Sequence, residues 1–194
     1  MKTICVFCGS SDKVAARYLD AARATGAALA RRGIRIVYGG GSTGLMGALA
    51  YAALDQGGEV IGVSPAFFQG PLLIQDRLTR LEIVETMHQR KARMAELAEG
   101  FIALPGGFGT LEELFEMLTW AQIGLHQKPI GLLNTAGYYD PLLAMIEHAQ
   151  THGFIYAEHR QLFAFGEQPG ELLEAMSNHK PPEGLERWVE RDFR

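Results

Sequence analysis

The sequence predicts an α/β protein in which helices cover both faces of a doubly wound, mostly parallel β-sheet. Strand-like and helix-like segments alternate along the whole chain. The strand-like segments are solid apolar runs, as strands buried on both faces require. Several of them end in glycine-rich turns that lead straight into helices. With 194 residues, 47% of them hydrophobic and 21% charged, the chain suits one compact unit with a substantial core.

Thr3–Cys8 reads as the first strand, and Gly9-Ser10-Ser11-Asp12 as the turn after it. Val14 to Arg32 is alanine-rich with helical spacing, closed by Gly33. Ile34–Tyr38 is the second strand, leading into Gly39–Gly47 (GGGSTGLMG) and a helix to about Gln56, which Gly57-Gly58 ends. Glu59–Ser64 is the third strand, and Pro65 opens an irregular region to Thr79. Leu81–Glu85, the fourth strand, feeds a helix from about Thr86 to Glu99. Phe101–Leu104 is a further strand, stopped by Pro105-Gly106-Gly107, with Gly109-Thr110 starting a helix and Thr110 as its N-cap. That helix ends in Trp120–Gly124, and Pro129–Leu133 is the next strand. Gly137–Pro141 turns into a helix reaching about His152, Phe154-Ile155 extends the sheet briefly, and Gly170–Ser177 is a late helix. One domain is expected over 1–180, with 181–194 a tail of little structure of its own.

A net charge of -4 argues against broad nucleic-acid or membrane-surface binding. No apolar run approaches the ~20 residues of a membrane span, and Thr3–Phe7 is too short for a secretory signal. Cys5 and Cys8 share one strand, too close to bridge without distortion, and read as reduced core thiols of a cytoplasmic protein.

In sheets of this Rossmann-like kind, ligands bind beyond the carboxyl ends of the strands. Ser10, the Gly39–Gly47 loop, Glu85–Lys91 and Pro105–Glu113 all fall there, so four segments converge on one crevice. The stretch FIALPGGFGTLEELFE, Phe101 to Glu116, is central. A strand, a glycine turn and a helix start offer unpaired N–H groups at the positive end of a helix dipole, which suits phosphate. Helical spacing sets Leu111, Leu114, Phe115 and Leu118 toward the core, and Glu112, Glu113, Glu116 and Trp120 on the other side. One of these acids then reaches over the mouth of the turn, although acids in a first turn also simply favour the dipole. Met87, Arg90, Lys91, Met94 and Ala98 share a face of the preceding helix. Two cations among methionines need a partner, either a bound phosphate or a carboxylate such as Glu113.

Other chemistries fit less well. Gly39, Gly41 and Gly44 satisfy G-x-G-x-x-G, but after the second strand, and the next strand ends in Val63-Ser64 without the acid that a dinucleotide ribose needs. There is no G-K-[ST] and no G-x-S-x-G. His148 and His152 are spaced i, i+4, but Ala149 stands where a metalloprotease carries glutamate, so no metal is expected.

At these residues the sequence resembles the LONELY GUY (LOG) family of cytokinin riboside 5'-monophosphate phosphoribohydrolases. The motif PGGxGTxxE is met by Pro105, Gly106, Gly107, Gly109, Thr110 and Glu113, and M-H-x-R-K-x-x-M by Met87, His88, Arg90, Lys91 and Met94. GGGxxGLMG is met from Gly39 to Gly47, and the likeness runs from CVFCGS at Cys5 through Lys128–Asn134 into Tyr138–Leu143. The resemblance implies hydrolysis of the N-glycosidic bond of cytokinin riboside 5'-monophosphates and of AMP, without a cofactor. It implies Arg90 and Glu113 as the catalytic pair. It places Ser10, Gly40, Gly41, Thr43, Met87, Lys91, Gly106, Gly107, Gly109 and Thr110 in the nucleotide site. Separately from the resemblance, Phe67, Phe68 and the Pro65–Thr79 loop are candidates to shape the base pocket.

The resemblance also implies a homodimer or higher homo-oligomer, for which Met117 and Trp120, read as off the core face, offer a surface. Similar sequences are often labelled lysine decarboxylases. A pyridoxal phosphate decarboxylase needs a Schiff-base lysine beside a pyridinium partner, and only Lys91 is placed toward the crevice, among neighbours that suit phosphate. A second reading is a carrier of a phosphorylated ligand such as molybdenum cofactor, because related folds with the same glycine turns resemble such carriers. Glu113 beside Arg90 favours the enzyme.

Overall fold

Thr3–Phe7 (β1) is buried along its whole length, and its side chains divide between two cores. Ile4 and Val6 point into one, Cys5 and Phe7 into the other, as the two-residue repeat of a strand dictates. The computed structural model describes residues 1–68, 77–183 and 185. Around β1 run β2 (Arg35–Tyr38), β3 (Val60–Pro65), β4 (Arg80–Val84), β5 (Gly100–Ala103), β6 (Ile130–Leu133) and β7 (Phe163–Gly166). They form one seven-stranded sheet in the order β4-β3-β2-β1-β5-β6-β7, and every pairing is parallel.

Helices α1 (Ala16–Arg31), α2 (Gly44–Asp55) and α6 (Pro169–Asn178) cover one face, through Leu29, Leu49, Leu172 and Met176. Helices α3 (Met87–Leu97) and α4 (Phe108–Gln122) cover the other, through Met94, Leu114 and Met117. Helix α5 (Asp140–Thr151) follows β6. The two cores explain why the strands read as unbroken apolar runs, since each residue meets a helix layer whichever way it points.

The sequence reading needs correction at its end. Phe154 is 82% exposed in a turn, and among the described residues the last strand is Phe163–Gly166, which pairs with β6 alone. A four-residue edge strand with an exposed Phe165 has no run long enough to stand out from loop. The expectation for 181–194 lies, apart from Pro181–Glu183 and Leu185, outside the described residues; Leu185 itself is buried against the α3–α4 core.

Candidate active site

The chain builds β1 to β4 outward in one direction, then returns to set β5 on the free side of β1. Strand order therefore reverses between β1 and β5, and the loops leaving their carboxyl ends diverge to open a crevice. A cavity of about 380 Å³ lies there. Its walls are Cys8, Gly9 and Ser10 after β1, Gly39, Gly41, Thr43 and Met46 after β2, and Ser64 and Phe68 at the end of β3. Met87 and Arg90 of α3 close one side; Gly107, Phe108, Gly109, Thr110 and Glu113 close another. A cavity of about 410 Å³ at the opposite end of the sheet, beside Lys2, Arg35 and Glu59, holds none of the candidate residues.

Helix α4 is capped by Gly107 rather than Thr110, and Leu111 N–H already donates to Gly107 O at 3.0 Å. Thr110 sits inside the first turn, with its hydroxyl where a side chain on Gly106 would have to go. Glycine at the cap leaves the helix without a side-chain acceptor, so its first-turn N–H groups stay available to a ligand. The neighbouring helices differ. Gly44 N–H donates to Asp12 Oδ1 at 2.7 Å, and Leu45 N–H to Gly9 O at 2.9 Å, which fills the start of α2. Thr86 and Gln89 close the start of α3 with a capping box. Among the described residues, α4 is the one of these three helix starts that has neither a side-chain cap nor a bond to its first N–H groups.

The Pro105–Gly107 turn is held from behind. Tyr138 donates its hydroxyl to Gly106 O at 2.6 Å, and the buried Tyr139 donates to Leu104 O at 2.7 Å. Gly9 N–H donates to Pro105 O at 3.1 Å. With the outer carbonyls engaged, the turn has little freedom to rotate its peptides.

Glu113 belongs to the buried stripe of α4, not to its outer side as the wheel suggests. That stripe is Thr110, Glu113, Leu114, Met117 and Ala121, residues three and four apart. Met117 is in the core, Trp120 is half-buried against it, and Phe115 is 44% exposed. Counting apolar residues alone misplaces the stripe because its cavity end is polar. Burial pushes the Glu113 carboxyl up to about 7. Arg90 opposes that shift; Glu112 and Glu116 add to it, and Lys91 works against it.

Arg90 reaches Glu113 across the α3–α4 contact, with Nη1 3.3 Å from Oε1. Its Nε donates to Val63 O at 3.1 Å, which ties the guanidinium to the end of β3. Gly39 makes room for it, since a Cβ there would overlap Nη2.

The structure thus brings Ser10, Gly41, Thr43, Met87, Arg90, Gly107, Gly109, Thr110 and Glu113 onto one cavity. Gly40, Gly106 and Lys91 are not on its wall. Gly40 shapes the turn at φ 80°, and Gly106 packs behind, against Gly9 and Thr110. Lys91 is 6% exposed and bonded to Glu112 and Glu116. Residues that the sequence reading did not assign include Cys8, Met46, Ser64 and Phe108. Burial, and then Glu113, push the Cys8 thiol up, so it lines the cavity as a neutral group. Phe108 was legible only as the variable position of PGGxGT, yet it is 94% exposed at the cavity's edge.

A family profile described as "Possible lysine decarboxylase" matches residues 46–176. The cavity wall contains no lysine among the described residues, which removes the amine that such chemistry would use. The chain is 46% identical over 180 residues to the cytokinin riboside 5'-monophosphate phosphoribohydrolase LOG of Oryza sativa subsp. japonica, covering 93% of this chain and 74% of that one. It is 48% identical to the cytokinin riboside 5'-monophosphate phosphoribohydrolase LOG4 of Arabidopsis thaliana, over 92% of this chain and 83% of that one. It is 54% identical to the cytokinin riboside 5'-monophosphate phosphoribohydrolase of Rhodococcoides fascians, over 79% and 78%. Among solved structures, the molybdenum cofactor carrier protein of Chlamydomonas reinhardtii superposes with a TM-score of 0.67 at 22% identity, over 90% of this chain and 95% of that one. The molybdenum cofactor binding protein of Rippkaea orientalis gives 0.69 at 21% identity, over 91% and 96%. At such identity these two likenesses speak to fold alone.

Proposed function

This chain belongs to the LOG family of cytokinin riboside 5'-monophosphate phosphoribohydrolases, and we propose that its hydrolysis of the N-glycosidic bond takes place in the cavity between α3 and α4. The observation that carries this is the meeting, in one cavity, of an uncapped helix start at Gly107 and the buried carboxylate of Glu113. The substrate has two ends that such a cavity can tell apart. Its 5'-phosphate suits the N–H groups of the first turn of α4, where the helix dipole adds to hydrogen bonding. The same distinction explains why α2, whose first N–H groups are already bonded, is not the phosphate seat.

With the phosphate anchored, the ribose lies toward Glu113. Breaking the bond between the anomeric carbon and the base builds positive charge on the sugar, and an ionised Glu113 stabilises it. Water adds to that carbon, the bonding electrons leave with the base nitrogen, which takes up a proton from solvent, and Glu113 accepts the proton released by the attacking water. The products are the free base and ribose 5-phosphate. A carboxyl balanced near neutrality both takes and returns a proton at low cost. Arg90 keeps part of the Glu113 population ionised despite burial and holds the carboxylate at the wall. Gly41, Thr43, Ser10 and Met87 are proposed as contacts to the nucleotide, with Phe68 and Phe108 beside the base.

AMP is a proposed second substrate, because the anchoring phosphate and the ribose are the same. Self-association is proposed from the family, with Phe115 and Leu125, 44% and 67% exposed, as apolar surface available to it. Among the described residues no helix is long and apolar enough to cross a membrane, and both cysteines are free, in keeping with a proposed cytoplasmic location. The test is to incubate purified protein with isopentenyl-AMP and with AMP and to resolve the products by chromatography. Free base and ribose 5-phosphate in equal amounts support the reading. Intact nucleotide after prolonged incubation, with tight binding of a pterin phosphate, would favour a carrier instead.

A further inference from the structure

We infer that Lys91 is a positioning residue for the reaction, which engages Glu112 and Glu116 so that Glu113 alone of the three α4 acids is left for the substrate. The inference rests on Glu113 being the acting carboxylate. Arg90 and Lys91 are consecutive on α3 and so point about 100° apart. Arg90 reaches Glu113 at the cavity wall, while Lys91 reaches the pair that flanks it. Glu112 and Glu116 are four residues apart, hence neighbours on the helix surface. The Lys91 ammonium bonds Glu112 Oε1 and lies 3.1 Å from Glu116 Oε1. None of these three residues lines the cavity.

A lysine that is 6% exposed is costly unless it is paired. Burial pulls the Lys91 ammonium down, but its bonds to Glu112 and Glu116 more than offset this and leave it above an ordinary lysine. It therefore stays a cation, placed away from any phosphate in the cavity. The charged and titratable groups around Glu113 are Arg90 and Lys91 from α3, Glu112 and Glu116 from its own helix, and the Cys5 and Cys8 thiols of β1. Both thiols are held neutral by burial. Without Lys91, Glu112 and Glu116 would lose their cation and stand as two uncompensated negative charges beside Glu113.

Two substitutions separate this role from the alternatives. Lys91→Met leaves the acids uncompensated and is expected to move the acid limb of kcat/KM upward by on the order of one pH unit. Turnover on the alkaline plateau is retained. Glu112→Gln, at a side chain 53% exposed and hence safe for folding, moves the limb the other way. NMR titration of the Glu113 carboxyl in glutamate-labelled protein follows the same two directions without reference to activity. A phosphate ligand at position 91 would raise KM and weaken inhibition by ribose 5-phosphate with the limb unmoved; that result overturns the inference. So does a purely structural role, which lowers stability and leaves the titration in place. Should Lys91→Met fail to fold, an unmoved Glu113 titration in both Glu112→Gln and Glu116→Gln overturns it equally. Absence of turnover in the unmodified protein would sink the hydrolase reading, while the titration still decides what Lys91 does to Glu113.

Discussion

Arg90 Nη1 stands 3.3 Å from Glu113 Oε1, and both side chains are almost wholly withdrawn from solvent. That separation exceeds the ~2.7–2.9 Å of a tight charge-assisted hydrogen bond. The carboxylate is therefore opposed by a cation without being consumed by it, and keeps the capacity to turn toward a ligand.

Glu113→Gln keeps the shape of the side chain and removes its basicity. The expected outcome is a fall in kcat on the order of a thousandfold, with nucleotide affinity within a few-fold of the original by calorimetry. A matching fall in affinity would make Glu113 a binding group instead.

The pH dependence follows from a carboxyl pushed up to about 7. Activity that needs the ionised form rises as pH passes through that region, so kcat/KM should show an acid limb near neutrality. Folding shows the opposite sense. Below about 4.5, the ordinary value, Glu113 is protonated folded or unfolded and contributes no penalty. Between there and about 7 the unfolded chain ionises more readily than the folded one, so stability falls as pH rises. Glu113→Gln removes that loss, and urea unfolding above neutrality should find the variant more stable by up to about 3 kcal/mol. A difference that does not grow between acid and neutral pH would contradict it.

Gly39→Ala tests the room made for Arg90. The new Cβ would collide with Arg90 Nη2 and the Met46 methyl, and because the guanidinium is anchored to Val63 O and Glu113, stability should fall by about 1–3 kcal/mol. Moving the cation should lower kcat/KM by roughly tenfold to a hundredfold. Unchanged kinetics would show that the position of Arg90 is not critical.

Tyr138→Phe removes the hydroxyl that holds Gly106 O at 2.6 Å. Loss of one hydrogen bond to a partly exposed carbonyl costs about 1 kcal/mol. Because that bond braces the turn leading into α4, the effect should appear as a several-fold higher KM for the nucleotide, with kcat nearly constant. A fall in kcat at constant KM would place Tyr138 in the chemistry.

Most of the sheet was legible because β1, β2, β3, β5 and β6 are dominated by consecutive apolar residues and lie close to glycine or proline. β7 was not, because an edge strand of four residues carries too few buried positions to mark itself. Within the site, the glycine turn and the acids were visible as motifs, but their geometry was not. Thr110 looked like a cap because it is the conventional residue type, yet the cap is Gly107, the choice that leaves the helix start empty. Helical spacing, which counts apolar residues, places Glu113 opposite the apolar positions of α4, and it leaves Lys91, a cation on a methionine face, between a phosphate and a carboxylate as its partner. Both are buried for reasons held in other elements: Arg90 of α3 for one, Glu112 and Glu116 of α4 for the other.

The most direct test is a crystal structure of Glu113→Gln in complex with intact isopentenyl-AMP. The expected result is phosphate oxygens within hydrogen-bonding distance of the Phe108–Thr110 N–H groups, and the anomeric carbon of the ribose beside the residue 113 side chain. A phosphate bound at the start of α2, or a ribose turned away from position 113, would contradict the account.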